Sequence, residues 1–152
     1  MDRPRPWRVI LDTNVPIVSA LDRHSVERQV WNWLATQPDV IVLMSDELTA
    51  QILRVGRRIG GKDWAGWIHY TVWRDFSVEF VDIPGAVKEL VRRTTHIPRE
   101  DIAIFLTALL GKADCFVSAN HEFVKEAAAI QDAFECLTPD EFYAKYIPGV
   151  GS

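Results

Sequence analysis

The chain is short of the features that most quickly announce a function. Its two cysteines, Cys115 and Cys136, each sit in an apolar run, which reads as two buried reduced thiols rather than a disulfide framework. No close His/Cys pair has the spacing of a zinc site, and the glycines of IGGK (59–62) lack the spacing of a phosphate-cradling loop. No apolar run approaches the ~20 residues of a membrane span. The opening MDRPRPWR has no long apolar stretch behind it, so the expectation is a cytoplasmic protein with no membrane role. Positive charge is not in excess: a net charge of −4 argues against gripping nucleic acid over the whole surface, but leaves room for a local basic groove. Repeats, low-complexity tracts and interdomain linkers are missing too.

What is present is an ordinary globular composition, 48% hydrophobic and 25% charged over 152 residues. That suits one domain spanning 1–152 with a real core. Pro148, Gly149 and Gly151 suggest a flexible tail over 146–152. WRVILD (7–12), PDVIVLMS (38–45), SVEFVDIP (77–84) and DCFVS (114–118) read as strands that each end on polar residues, and Cys136 marks another. Between them lie amphipathic helices: Val26 to Leu34 after a Ser25 cap, Leu48 to Ile59 after Ser45, one around Trp64 to Val72 after the GGKD break, 85–93, and 99–112 ending near Gly111. TPDE (138–141) is a capping box opening a short last helix. The resulting order, β-α-β-α-α-β-α-α-β-α-β-α, predicts an α/β three-layer α-β-α sandwich with a central parallel sheet of about five strands. Ligand sites of such sheets lie beyond the carboxyl ends of the strands, where the strand order reverses.

Two acids stand where such a site would be. Asp12 follows VIL and opens DTN, with Thr13 and Asn14 available to orient it; an Asx-turn closing the strand is the plainer reading of this residue alone. Asp101 is in the first turn of its helix, where the dipole favours an acid whatever else it does. As a pair they say more, because a hard-metal site draws oxygen ligands from separate elements.

Together VILDTNV, EDIAIFLTALLGKADCFVSAN and CLTPDEF resemble the PIN-domain family over nearly the whole chain. The resemblance implies a single PIN-like domain and a ribonuclease dependent on magnesium or manganese, with the toxins of bacterial toxin–antitoxin pairs among its kin. It makes Asp12 and Asp101 ion ligands, puts Asn120 and Glu122 in the same catalytic pocket with Glu122 as a third metal ligand, and leaves Asn14, Glu47, Gln51 and Ser118 in support. Two positions depart from the family pattern: Gln51 stands where a Glu is usual, with Glu47 one turn earlier, and Asn120 stands where the fourth strand usually delivers an Asp. Each exchange removes a charge.

On the helix after Ser45, Arg54 and Arg58 follow Glu47 and Gln51 at helical steps, a flank suited to RNA phosphates, whether single-stranded or structured. Trp64, Trp67, Tyr70 and Trp73 are rings on which bases stack, or equally core, or the surface of a homodimer or of an antitoxin complex. The alternative to an active nuclease is a PIN scaffold with impaired catalysis that binds RNA or regulates a partner. A third reading is an interaction protein without a nucleic-acid role.

Overall fold

The computed structural model describes residues 4–149. Five strands, β1 (Trp7–Leu11), β2 (Val40–Met44), β3 (Ser77–Phe80), β4 (Cys115–Val117) and β5 (Glu135–Leu137), form one parallel sheet in the order β3-β2-β1-β4-β5. The helices are α1 (Asn14–Leu21), α2 (Val26–Ala35), α3 (Asp46–Gly60), α4 (Lys62–Asp75), α5 (Gly85–Thr94), α6 (Arg99–Leu110), α7 (His121–Ile130) and α8 (Pro139–Tyr146). The chain builds outward from β1 through β2 to β3, then returns to lay β4 on the other side of β1. The order therefore reverses between β1 and β4, and both strands end at that crevice.

Alternation along the strands sorts the core into two layers. Trp7 points toward α2 and α8, its ring 6.1 Å from Trp33, 5.7 Å from Phe142 and 4.9 Å from Tyr146. Ile10 pairs with Phe116 in the sheet, and the Phe116 ring meets Phe123 of α7 at 5.2 Å and Phe134 at 6.4 Å, with Phe105 of α6 behind Phe134. Aromatic pairs at these separations add about 0.5–1.5 kcal/mol each beyond their buried area. Cys115 and Cys136 are free thiols on the neighbouring strands β4 and β5, and burial pushes the Cys115 thiol well up from its ordinary value.

Most of the predicted helices stand where their caps place them. Ser25 and Ser45 accept from the backbone N–H of Arg28 and Leu48, and Thr138 forms the capping box with Glu141. The predicted order lacked α1. Its sequence NVPIVSAL is apolar nearly all round, so it has no polar face to reveal a helical period, although a proline inside a first turn is compatible with a helix start. The predicted tail starts too early: Tyr146 closes α8 against Trp7 and Phe142, and Ile147 packs on the same core. Residues 150–152 of that tail lie outside the described residues.

Helix α6 ends near Gly111 as expected, with Gly111 as its C-cap, but by a turn in which the glycine is not the left-handed residue. Gly111 has ordinary right-handed geometry, and the left-handed position is taken by Lys112 at φ +55°. Lys112 N–H donates to the Leu109 carbonyl and Ala113 N–H to the Ala108 carbonyl, which is a Schellman closure with lysine where glycine is usual. Gly111 is needed for space: a Cβ there would stand 2.8 Å from Leu43 Cδ1 and 2.8 Å from Val81 Cγ2. Gly111→Ala is expected to destabilise by roughly 1–3 kcal/mol through overpacking. Lys112→Gly is expected to stabilise by up to about 1 kcal/mol by relieving the left-handed residue. Urea denaturation of both variants checks this, and equal effects of the two would contradict the assignment.

Candidate active site

The reversal between β1 and β4 sets two strand ends side by side. Asp12 follows β1 directly, and its backbone N–H donates to the Val117 carbonyl at 2.9 Å. Ser118 follows β4 and is fully buried. Its hydroxyl donates to Asp12 Oδ2 at 2.6 Å and accepts from Asn120 N–H at 3.1 Å. Thr13 N–H donates to Asp12 Oδ1 at 2.8 Å, and Asn14 Nδ2 reaches Oδ2 at 3.4 Å. The other end of the Asn14 amide accepts from Ala119 N–H at 3.1 Å, so this side chain laces the two loops together. A carboxylate offers about four acceptor positions. Three are taken here, and the one left is on Oδ1.

Asp12 is only 5% exposed. Burial pushes its carboxyl up from the ordinary value, while the hydrogen bonds from Ser118, Thr13 and Asn14 work in the opposite direction. Asp101, in the first turn of α6, is 8% exposed, and no hydrogen bond from the described residues reaches its side chain. Its carboxyl is pushed up to about 6, first by burial, then by the charges of Asp12 and Glu100. One acid is thus held by protein donors, and the other faces it without any.

These two acids line a cleft of about 280 Å³ with Thr13, Asn14, Gln51, Asn120 and the apolar side chains of Ile17, Val18 and Val55. A chain of hydroxyls fixes its far wall. Leu48 N–H donates to Ser45 Oγ, Ser45 Oγ meets Thr107 Oγ1 at 2.8 Å, and Thr107 Oγ1 donates to the Ala103 carbonyl. This ties the start of α3 to α6 and so sets Gln51 against Asp101. Asn120 is the N-cap of α7, its Oδ1 accepting from Phe123 N–H at 3.2 Å.

Of the residues picked from the sequence, Asp12, Asn14, Gln51, Asp101 and Asn120 line this cleft, with Ser118 directly behind Asp12. Glu122 does not line it: it is exposed in the first turn of α7. Nor does Glu47, which is half-buried and accepts from Lys88 Nζ of α5 at 3.3 Å. Arg54 and Arg58 are exposed and continue along the Gln51 flank of α3. Trp64 is packed on the core, whereas Trp67, Tyr70 and Trp73 are exposed on α4, Trp73 stacking on Phe80 at 5.4 Å. Sequence reasoning passed over the apolar wall from α1, because α1 itself was missed. It also gave Thr13 only an orienting role, yet the Thr13 hydroxyl is buried in the cleft lining without a hydrogen-bond partner.

A divalent cation has been implied, and the donors at hand are the test of it. Among the described residues no cluster of three or more His, Cys, Asp or Glu side chains converges. Two carboxylates do, with an orphaned hydroxyl and the three side-chain amides of Asn14, Gln51 and Asn120 around them. Magnesium and manganese are commonly held by one or two carboxylates, the remaining positions going to water and substrate oxygens. The residues fit such an ion as a minimal set, in which Asp101 and the free Oδ1 position of Asp12 would be the anionic ligands.

The chain is an α/β protein of PIN-like fold. VapBC2 from Rickettsia felis, solved bound to a DNA fragment from their promoter, matches it with a TM-score of 0.58 at 16% identity, over 86% of this chain and 96% of the other. VapBC-1 from nontypeable Haemophilus influenzae also gives 0.58 at 16% identity, over 83% and 98%. At that identity the fold is what is shared. No protein-family profile matches the sequence, and no curated protein matches it. No helix among the described residues is long and apolar enough to cross a membrane.

The raised Asp101 carboxyl has a consequence for stability. Its value in the folded chain lies above that of an unfolded aspartate, so ionisation favours unfolding; the stability it contributes is complete below about pH 4 and is lost as pH rises through about 6. In chelator at pH 7.5, Asp101→Asn is expected to melt a few degrees above wild type, and the gap is expected to close as pH falls toward 4. Asn120→Asp, which keeps a capping oxygen but adds a charge, is expected to melt lower than wild type in chelator. Scanning calorimetry over about pH 4–8 reads both, and a pH-independent Asp101→Asn gap contradicts the coupling.

Proposed function

We propose that this chain is a divalent-metal-dependent endoribonuclease of toxin type. The observation that carries the reading is the pair of buried acids facing each other at the β1–β4 reversal, one of them with no donor from the described residues. Such a pair is costly without a cation. A magnesium or manganese ion bound there would neutralise charge on the phosphate in transit and lower the pKa of an attacking water.

The protein's own residues supply the positioning. Ser118 and Thr13 N–H hold Asp12 in one orientation, so its free lone pair points at a fixed place. The Thr13 hydroxyl is the group suited to orient a water in the cleft. Gln51 and Asn120 give neutral amides where more charge would raise the repulsion between the acids; the amide nitrogens are suited to donate to phosphate oxygens. Arg54 and Arg58, exposed on the Gln51 flank of α3, are suited to hold the strand entering the cleft. Neither Glu122 nor Glu47 has the position of a ligand in this arrangement, so the reading rests on two acids alone.

The likeness to toxin–antitoxin complexes of the VapBC kind supports a protein partner as part of the same reading. An antitoxin, or a second copy of the chain, would cover the exposed aromatics of α4. A second reading, a scaffold that binds RNA or regulates a partner without cutting, is favoured by one observation: Asn120, at the position where a further carboxylate would stand, has its carbonyl committed to capping α7.

Cleavage of a mixed single-stranded RNA pool in manganese separates the two. Wild type is expected to cut, chelator to stop it, and Asp12→Ala to lower the rate by about 10²-fold or more. Absence of cutting by folded wild-type protein that still retains RNA favours the scaffold, and Gln51→Glu with Asn120→Asp then tests whether activity returns.

A further inference from the structure

A second cleft, of about 320 Å³, lies between α5 and α6 and is lined by Lys88, Glu89, Arg92, Arg99, Ile102 and Ala103 among others. It adjoins the acidic cleft in two ways. The first turn of α6 gives Asp101 to one cleft and Arg99 and Ile102 to the other. On α3, Glu47 holds Lys88, and Gln51, one turn further on, lines the acidic cleft.

Between Gly85 and Arg99 the chain places four Lys/Arg (Lys88, Arg92, Arg93 and Arg99) against Glu89 alone, in a protein of net charge −4. That single acid is shared: Arg92 donates to Glu89, and Arg93 stands 3.9 Å from it. The Glu89 carboxyl is held below its ordinary value mainly by the Arg92 hydrogen bond, with Arg93 and Arg99 adding their fields. The Arg99 guanidinium makes no hydrogen bond or ion pair among the described residues. Lys88 and Arg92 are one helical turn apart on the same face of α5, about 6 Å along its axis.

We propose that this α5–α6 cleft binds the sugar–phosphate backbone of single-stranded RNA on the side of the acidic cleft opposite Arg54 and Arg58. The inference rests on the RNA-directed reading of the acidic cleft and extends it by a second backbone subsite. Cations spread over two helices, with Arg99 unpaired, suit a repeating anion better than one small ion, which needs its donors converging on a point. The half-buried Ala103 beside Ile102 gives the floor an apolar strip for ribose or base.

The test is fluorescence anisotropy of a labelled uridine oligoribonucleotide, about 12 nucleotides to exceed one subsite, in chelator over a series of potassium chloride concentrations. Arg99→Ala is expected to weaken binding roughly threefold to tenfold and to reduce the slope of log affinity against log salt by about 0.7. Arg99→Lys is expected to keep the wild-type slope, and Arg23→Ala, an exposed arginine outside both clefts, to change neither quantity. Melting curves establish that each variant is folded. Wild-type affinity and slope in Arg99→Ala overturn the proposal, as does a wild-type protein that binds polyaspartate in place of RNA. Binding that depends on Arg99 without any cleavage in manganese sustains this inference and defeats the nuclease reading. Cleavage with binding indifferent to Arg99 does the reverse.

Discussion

The hydrogen bond from Ser118 to Asp12 is the contact on which the rest of the site depends. A carboxylate buried to this extent is costly unless several donors meet it, and here the donors come from two different strand ends. The bond therefore registers β1 against β4 at the one place where the sheet reverses its order. Asn14 repeats the link by bonding to Asp12 and to Ala119. With these strand ends fixed, α1 leaves β1 in one direction and α7 leaves β4 in the other, and the cleft is what remains between them. The aromatic layers on the two faces of the sheet hold the strands in place, but they do not by themselves aim any side chain.

The two acids have been given opposite environments by the fold. Asp12 is satisfied by neighbours in its own loops, while Asp101 arrives on the far side of the cleft from α6, positioned by packing and by the Ser45–Thr107 hydroxyl pair rather than by donors to its own carboxylate. Burial, and after it the charges of Asp12 and Glu100, push the Asp101 carboxyl up to about 6. The amides of Gln51 and Asn120 add no further charge to the cleft. Neutral amides there would grip a cation less than carboxylates and would repel the two acids less in an empty cleft, a balance that suits either a nuclease that relies on substrate phosphates to complete its ion site or a scaffold that no longer needs one.

Much of this was legible in the sequence where one residue has one local job. The serine and threonine caps, the apolar strands ending in polar residues and the pair of acids all carry local signals, and the alternation of strands and helices implied the parallel sheet. The misses have physical causes. Helix α1 is buried nearly all round and shows no amphipathic period. The left-handed turn at Lys112 is invisible because Gly111 beside it looks like the natural stop and is in fact required for packing against Leu43 and Val81. Glu122 and Glu47 are acids at plausible spacings, but one is turned out by the start of α7 and the other is claimed by Lys88, a residue far away in sequence. Long-range pairing of that sort leaves no trace in a local pattern.

The junction of α3 and α4 bears on how the cleft is braced. Gly61 at φ +92° turns the chain, and Gly56 lies so close to Ala65 that a Cβ on the glycine would stand 3.0 Å from the alanine backbone. Two helices in such contact pack as one unit. Gln51 and Val55 belong to that unit, so their wall of the cleft is carried by a helical hairpin with the aromatic face of α4 at its back. The facing wall comes from α1 and the start of α6, each a single helix, with α6 pinned to α3 through Ser45 and Thr107, so the two sides of the cleft are unequally braced.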